Sequence, residues 1–278
     1  MKHTESHFFG CNGNNLYYQY WLPAGQQKAV LIIVHGLAEH SGRYNNVIKH
    51  FVPRGYAAYT FDYRGHGKSA GKRGYVKRFS CYLDDLKSFF ELVVKSHSNN
   101  LIFIIGHSIG ATIAATFALG HQDKFDGLIL SGATIAPGAS LSPVKIVIAN
   151  ILSFLIPRMG IERIDASTIS RNQAVVDSYV SDPLVYRGRI SAHLGAELIR
   201  AMHNLTSHMV EIKLPVLIMH GTEDRLSNPE SSRMLYQRVS SKDKTLKLYN
   251  NFYHEIFNEP GHEKVFKDME KWLDIHVQ

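Results

Sequence analysis

Ser108 sits in the pentapeptide Gly106-His-Ser-Ile-Gly110. A serine hydroxyl is barely ionised near pH 7, so it attacks a carbonyl only with a general base beside it. Imidazole suits that task, with an ordinary pKa of about 6.5. A carboxylate must then hold the ring in one tautomer and stabilise the imidazolium. Where the nucleophile stands on a strand-to-helix turn, the expected chain order is serine, acid, histidine. His254, in Tyr253-His-Glu255, fills the last place of that order. Two adjacent carboxylates, Glu223 and Asp224, could fill the middle one, and the shorter aspartate side chain is easier to fix. His107, His220 and His262 are rival histidines. Asp182 is a rival acid, although its place before Pro183 suits a turn. The oxyanion formed during attack needs backbone donors. The amide of Ile109 follows the nucleophile, and His35-Gly36 brings the amide of Leu37 close.

Holding these residues together requires strands that deliver each loop to one sheet edge. Residues 101–105 are an unbroken apolar run closed by Gly106, which reads as a buried parallel strand. Residues 111–119 are alanine-rich and read as a helix. Ser108 therefore stands on a tight turn, and Gly106 and Gly110 flank it because larger side chains would not fit. Residues 29–34 form another apolar strand, opening onto the polar loop 35–44, then a helix stopped at Gly55. Residues 56–61 form the next strand and 128–130 a short one. Residues 215–219 and 245–249 complete the set. Amphipathic helices are expected over 78–97, 229–239 and 261–277. The aromatic stretch 16–21 reads as an outer antiparallel strand with a partner in residues 7–10. This alternation predicts an α/β chain: a mostly parallel central sheet with helices on both faces. Ligands of such sheets bind at the carboxyl ends of the strands, where the four candidate loops fall.

The alternation breaks near Pro137 and resumes near residue 212. This predicts a core of residues 1–136 and 212–278, with a helical cap, 137–211, inserted in it. Within the cap, residues 144–156 are almost uniformly apolar. They are too few to span a bilayer, and suit a buried helix or one that meets a membrane or micelle surface. Lys plus Arg is 31 and Asp plus Glu 24, a net charge of +7. No basic cluster is interleaved with aromatics, so a nucleic-acid partner is not expected. No His-Glu-x-x-His or Cys/His ligand pattern is present, and Gly65-His-Gly67 lacks the ending of a phosphate loop, so neither metal nor cofactor is implied. Two cysteines and a polar N-terminus suit a reducing, cytoplasmic setting.

Longer motifs sharpen this reading. His35-Gly-Leu-Ala-Glu-His-Ser-Gly-Arg-Tyr44, Asp62-Tyr-Arg-Gly-His-Gly-Lys-Ser69, Gly106–Gly110, Gly221-Thr-Glu-Asp-Arg-Leu226 and Tyr253-His-Glu255 together resemble the monoacylglycerol lipase and lysophospholipase group of serine α/β-hydrolases. Residues 164–172 and 179–184 resemble that group's cap. Ile109 stands where the group usually has Met, and Ala111 where it commonly has Gly. Ser227 stands where some relatives have a cysteine. The resemblance implies an α/β-hydrolase fold with a helical cap, Asp224 as the acid, and a lipid ester as substrate. It also implies that Glu39, Arg43, His107 and Tyr179 lie near the head-group end of the pocket. The expected reaction is hydrolysis of monoacylglycerols by a Ser108–His254–Asp224 triad. A lysophospholipase or broader carboxylesterase would use the same triad, and a phosphate-bearing head group would want a free cation such as Arg43, Lys68 or Arg225. A non-catalytic lipid-binding protein would keep the pocket without a working serine.

Overall fold

The computed structural model describes residues 1–136 and 151–277. Tyr17, Tyr18, Tyr20 and Trp21 lie in β2 (Asn15–Leu22), which pairs antiparallel at one edge with β1 (Lys2–Phe9), a longer partner than the one expected over residues 7–10 because its polar first half carries no strand signal. The apolar runs follow as β3 (Ala29–Val34), β4 (Tyr56–Phe61), β5 (Leu101–His107) and β6 (Gly127–Ser131). Residues of all four are buried throughout, save Leu101. A strand covered on both faces has no solvent side, which is why its sequence does not alternate. Two short strands, β7 (Gly160–Glu162) and β8 (Ile190–Ser191), form a separate antiparallel pair. β9 (Val216–Gly221) and β10 (Lys244–Tyr249) return to the main sheet. Its order is β1-β2-β4-β3-β5-β6-β9-β10, parallel from β4 to β10. This is the α/β-hydrolase fold, with a helical insertion between β6 and β9.

The two sheet faces divide the core. Val30, Ile32 and Val34 of β3 point to one side. There they join α2 (Ser80–Ser96), through Leu86 and Phe89, and α3 (Ile109–His121), through Ile113 and Phe117. Ala29, Leu31 and Ile33 point to the other side and meet α1 (Asn45–Phe51) through Val47 and Phe51. Each such large apolar side chain contributes about 1.5–3 kcal/mol when taken from water. Inside the insertion, α4 (Gln173–Ser181) starts where the Asn172 side chain accepts from the Ala174 amide, and α5 (Ala192–His208) where the Ser191 hydroxyl accepts from the Leu194 amide. These are ordinary N-caps, each filling one unpaired amide of a first turn. α6 (Glu230–Arg238) and α7 (Glu263–His276) complete the layers, and α7 covers the second face with Phe266, Met269 and Trp272.

The insertion departs from expectation in one respect. It was expected to be helical, yet β7 and β8 pair within it. Strands of three and two residues are too short to carry a legible period. Of the apolar stretch 144–156, residues 144–150 lie outside the described residues, as does the expected start of the cap at 137. Residues 151–155 are helical, with Ile151, Phe154, Leu155 and Ile156 exposed. Among the described residues no helix is long and apolar enough to cross a membrane.

β5 and α3 are joined so tightly that side chains are excluded. A methyl group on Gly110 would lie 2.2 Å from the Val34 carbonyl oxygen and 2.4 Å from that of His35. One on Gly106 would lie 2.6 Å from the Gly110 carbonyl oxygen. These obstacles are backbone and cannot rotate away. Gly110→Ala is therefore expected to destabilise the protein by about 3 kcal/mol or more, at the upper end of overpacking costs. Urea unfolding would show this as a large drop in midpoint, and an unchanged midpoint would refute the packing argument.

Candidate active site

The nucleophile candidate is held in a conformation that side chains avoid. Ser108 has φ 56° and ψ −121°, between the last residue of β5 and the first of α3. A non-glycine residue in this region costs on the order of 1–3 kcal/mol and persists only where its surroundings impose it. Here the Ser108 amide donates to the Ser131 carbonyl at 2.9 Å, which ties the turn to the end of β6. Ser108 stays partly exposed while His107 and Ile109 beside it are buried. Its Oγ lies 3.5 Å from Thr134 Oγ1, and no hydrogen bond to His254 is formed. Thr134 is itself pinned, since its carbonyl accepts from Thr112 Oγ1 at 2.6 Å.

Asp224 and His254 come from the loops after β9 and β10. His254 Nδ1 donates to Asp224 Oδ2 at 2.6 Å. The other carboxylate oxygen accepts from the amides of Leu226 and Ser227 at 2.8 and 2.9 Å. Burial alone would raise the Asp224 pKa, but the imidazoles of His254 and His220 hold it well below the usual carboxylate range. Burial alone would lower that of His254, but the Asp224 carboxylate and its hydrogen bond hold it above the ordinary 6.5. The His254 ring lies over the end of β6: a methyl group on Gly132 would come within 3.2 Å of its Cε1 and Nδ1. The same strand end accepts the Ser108 amide, so one backbone corner carries both side chains. His107 stacks obliquely on His254, with ring centroids 4.8 Å apart, and its Nδ1 lies 3.2 Å from Ser131 Oγ. Burial and the neighbouring imidazole keep it well below its ordinary pKa, hence neutral.

The loop after β3 is fixed at both backbone polar groups of Gly36. The Gly36 amide donates to Glu39 Oε1 at 2.5 Å, and the Gly36 carbonyl accepts from Tyr63 Oη at 2.5 Å and from His35 Nδ1 at 2.8 Å. Gly36 abuts the nucleophile turn, since a methyl group there would lie 3.2 Å from Ser108 Cβ. Ala38 then adopts φ 67°, and its carbonyl accepts from the Tyr186 amide at 2.8 Å. Between them, the Leu37 amide has no acceptor among the described residues, and neither has that of Ile109. Asp62, at the end of β4, buttresses this loop by accepting from the amides of Ser41 at 2.7 Å and Lys68 at 2.8 Å.

Glu39 and Arg43 belong to a buried clamp. Arg43 Nε donates to Glu39 Oε2 at 3.3 Å, and its Nη2 donates to both oxygens of Glu255 at 2.7 Å. Tyr44 Oη adds a bond to Glu39 at 2.7 Å, and the Tyr179 ring covers the guanidinium, its centroid 4.8 Å from Cζ. Burial, then repulsion from Glu255, pushes the Glu39 carboxyl upward against the pull of Arg43. Glu39, Arg43 and His107 border a cavity of about 10 Å³, room for one water at most.

The rivals fall elsewhere. Glu223 is exposed. Asp182 accepts from His40 Nε2 at 2.9 Å and from the Leu184 amide at 2.8 Å, closing the turn around Pro183. His262 caps its own turn through the Glu259 carbonyl at 2.8 Å. His220 is fully buried with both ring nitrogens occupied, one of them by Asp224. Sequence reasoning gave no role to Glu255, Asp62 or Thr134. For Glu255 the signal was adjacency to His254. Thr134 follows the end of β6 without any motif of its own.

Comparison with known proteins identifies the family. Residues 25–261 match the family model described as serine aminopeptidase, S33. The chain is 33% identical over 274 residues to a monoacylglycerol lipase of Mycolicibacterium smegmatis, covering 99% of this chain and 98% of that one. It is 34% identical over 274 residues to the monoglyceride lipase of Mus musculus, covering 98% and 90%. The crystal structure of Paleococcus ferrophilus monoacylglycerol lipase superposes with a TM-score of 0.84 at 32% identity, covering 94% of this chain and 99% of that one. A family match over most of the sequence and relatives above 30% identity along nearly all of it place this chain in the S33 family of serine α/β-hydrolases, as an ester hydrolase of the monoacylglycerol lipase-like group.

Proposed function

We propose that this chain hydrolyses monoacylglycerols to fatty acid and glycerol through an acyl-enzyme on Ser108. The observation that carries the reading is the 2.6 Å bond from His254 Nδ1 to Asp224 Oδ2 at the strand corner that also holds Ser108. With the proton on Nδ1, Nε2 keeps a lone pair and can act as base. The serine Oγ must leave Thr134 for the imidazole, and such contacts commonly tighten only when substrate binds. His254 Nε2 then removes the hydroxyl proton as Oγ bonds to the ester carbonyl carbon. The amides of Leu37 and Ile109 receive the oxyanion. His254 next protonates the glycerol oxygen as the carbon–oxygen bond breaks. Water, deprotonated by the same imidazole, attacks the acyl-serine and releases the fatty acid.

The charge arrangement favours a neutral head group. Arg43 is committed to Glu39 and Glu255, with only 7% of its side chain exposed. Lys68 is paired with Glu5 at 2.9 Å at the far antiparallel edge. Arg225 rests on the Tyr253 ring, 5.2 Å from its centroid. Arg43 is the guanidinium that borders the cavity beside His107, and its commitment to two carboxylates weighs against a lysophospholipid, whose phosphate wants an unpaired cation there. Glu39, Arg43, His107 and Tyr179 then act on the glycerol end by setting the two flanking loops and by holding a bridging water. Exposed Ile151, Phe154, Leu155 and Ile156 support a transient contact with the membrane or micelle that holds the substrate, by an otherwise cytoplasmic protein.

Ser108→Ala should leave thermal unfolding near wild type and lower ester turnover by about a millionfold, as expected where nucleophile and base work as a unit. Retained turnover would remove Ser108 from the mechanism. In wild type, kcat/KM should rise with pH through the His254 pKa, with the acid limb above pH 6.5 because the imidazole must be deprotonated to serve as base. A profile flat across pH 5–8 would contradict that assignment. In a parallel assay of monoacylglycerols, lysophospholipids, diacylglycerols and short p-nitrophenyl esters, kcat/KM should be highest for monoacylglycerols. A lysophospholipid preference would overturn the head-group argument.

A further inference from the structure

His220 satisfies hydrogen-bond geometry that leaves it only one tautomer. Its Nε2 lies 2.9 Å from Asp224 Oδ2 and 3.0 Å from the Ser227 carbonyl oxygen. Both are acceptors, so Nε2 must carry the proton. Its Nδ1 lies 2.6 Å from Ser232 Oγ, a hydroxyl at the start of α6 that can donate to a neutral ring. His220 and Ser232 are both 0% exposed, so water cannot replace either partner. The ring thus bridges β9, the acid loop and α6. Asp224 Oδ2 receives two N–H groups, from His254 and from His220, while Oδ1 receives two backbone amides.

We propose that His220, its ring anchored at Nδ1 by Ser232, is a positioning residue for the acid: its Nε2–H fixes the Asp224 carboxylate so that one oxygen faces His254 Nδ1. This rests on the triad reading given above. Two backbone amides hold Oδ1, but without a second donor Oδ2 would be held by His254 alone, and the carboxylate would tilt with every movement of that imidazole. His220 removes that freedom. It also draws on the same lone-pair density that His254 uses, so it moderates how strongly the acid favours the imidazolium. The charged and titratable groups facing this pair are His107, Glu255 and Glu39, besides Asp224 itself. None of them bonds to Oδ2.

Three variants separate positioning from simple packing: His220→Phe fills the space without a donor, His220→Gln keeps an N–H donor, and Ser232→Ala removes the anchor at Nδ1 and lets the ring shift. With a monoacylglycerol substrate, His220→Phe is expected to lower kcat by tenfold or more with KM little changed, roughly what one bond to a charged group contributes. Its acid limb should move to higher pH, because Asp224 then acts on His254 alone. His220→Gln should recover both most of kcat and the wild-type limb. Ser232→Ala should shift in the direction of His220→Phe by a smaller amount, and it carries the test if His220→Phe does not fold. Overturning results are a folded His220→Phe with wild-type kcat and limb, or a loss of kcat that Gln does not restore and that leaves the limb in place. If His220→Phe does not fold, a Ser232→Ala variant with wild-type kcat and limb overturns the proposal. Fluorophosphonate labelling of Ser108 in the wild type and every variant keeps the two ideas apart. A wild type that is not labelled at Ser108 refutes the triad itself, whereas labelling in all with no effect at 220 refutes only the positioning role.

Discussion

The contact on which the site depends is backbone against backbone: the α-carbon of Gly110 lies where any Cβ would strike the carbonyls of Val34 and His35. It sets the distance between α3 and the end of β3. That distance in turn sets where the Ile109 and Leu37 amides stand relative to Ser108. The positive φ of Ser108 follows from the same closeness, since the chain must turn from β5 into α3 within a single residue. The strain is compensated by the bond to Ser131 and by the buried core on both sheet faces. Precision at Ser108 is thus a property of sheet packing and does not reside in the loop.

From that contact outward, each loop is tied to its neighbour by polar groups that are largely buried. Asp62 joins the loops after β3 and β4. Glu39, Arg43 and Glu255 join the loop after β3 to the histidine loop. Asp224 joins the acid loop to the histidine loop. Such buried pairs add little net stability when made, yet are costly to break, because the surviving partner is left uncompensated. They hold register among loops that the apolar core cannot align.

The sheet's centre was legible because β3 to β6 and β9 are largely apolar runs of five to seven residues that end in polar or glycine-containing loops. Long helices such as α2 and α7 were legible from their 3.6-residue period. β7 and β8 were not, since two or three residues hold no period. Ser108, Asp224 and His254 could be singled out by strand context and chain order, and the structure brings the last two into hydrogen-bond contact. Glu255 and His220 were not assigned their parts. Glu255 meets Arg43 across 212 residues of sequence, and no local pattern encodes that. His220 looked like a competitor for the role of base. Only its surroundings, an acceptor pair at Nε2 and a hydroxyl at Nδ1, reveal a donor to the acid.

Arg43 is shared by carboxylates from two separate loops, and this has a consequence for how the sequence can change over time. Replacing the arginine alone strands two acids, and replacing either acid alone leaves the guanidinium half-matched. Positions 39, 43 and 255 should therefore drift as a trio among descendants of this chain, and grafting the histidine loop from a distant cousin would succeed only when its counterpart segment is grafted along with it.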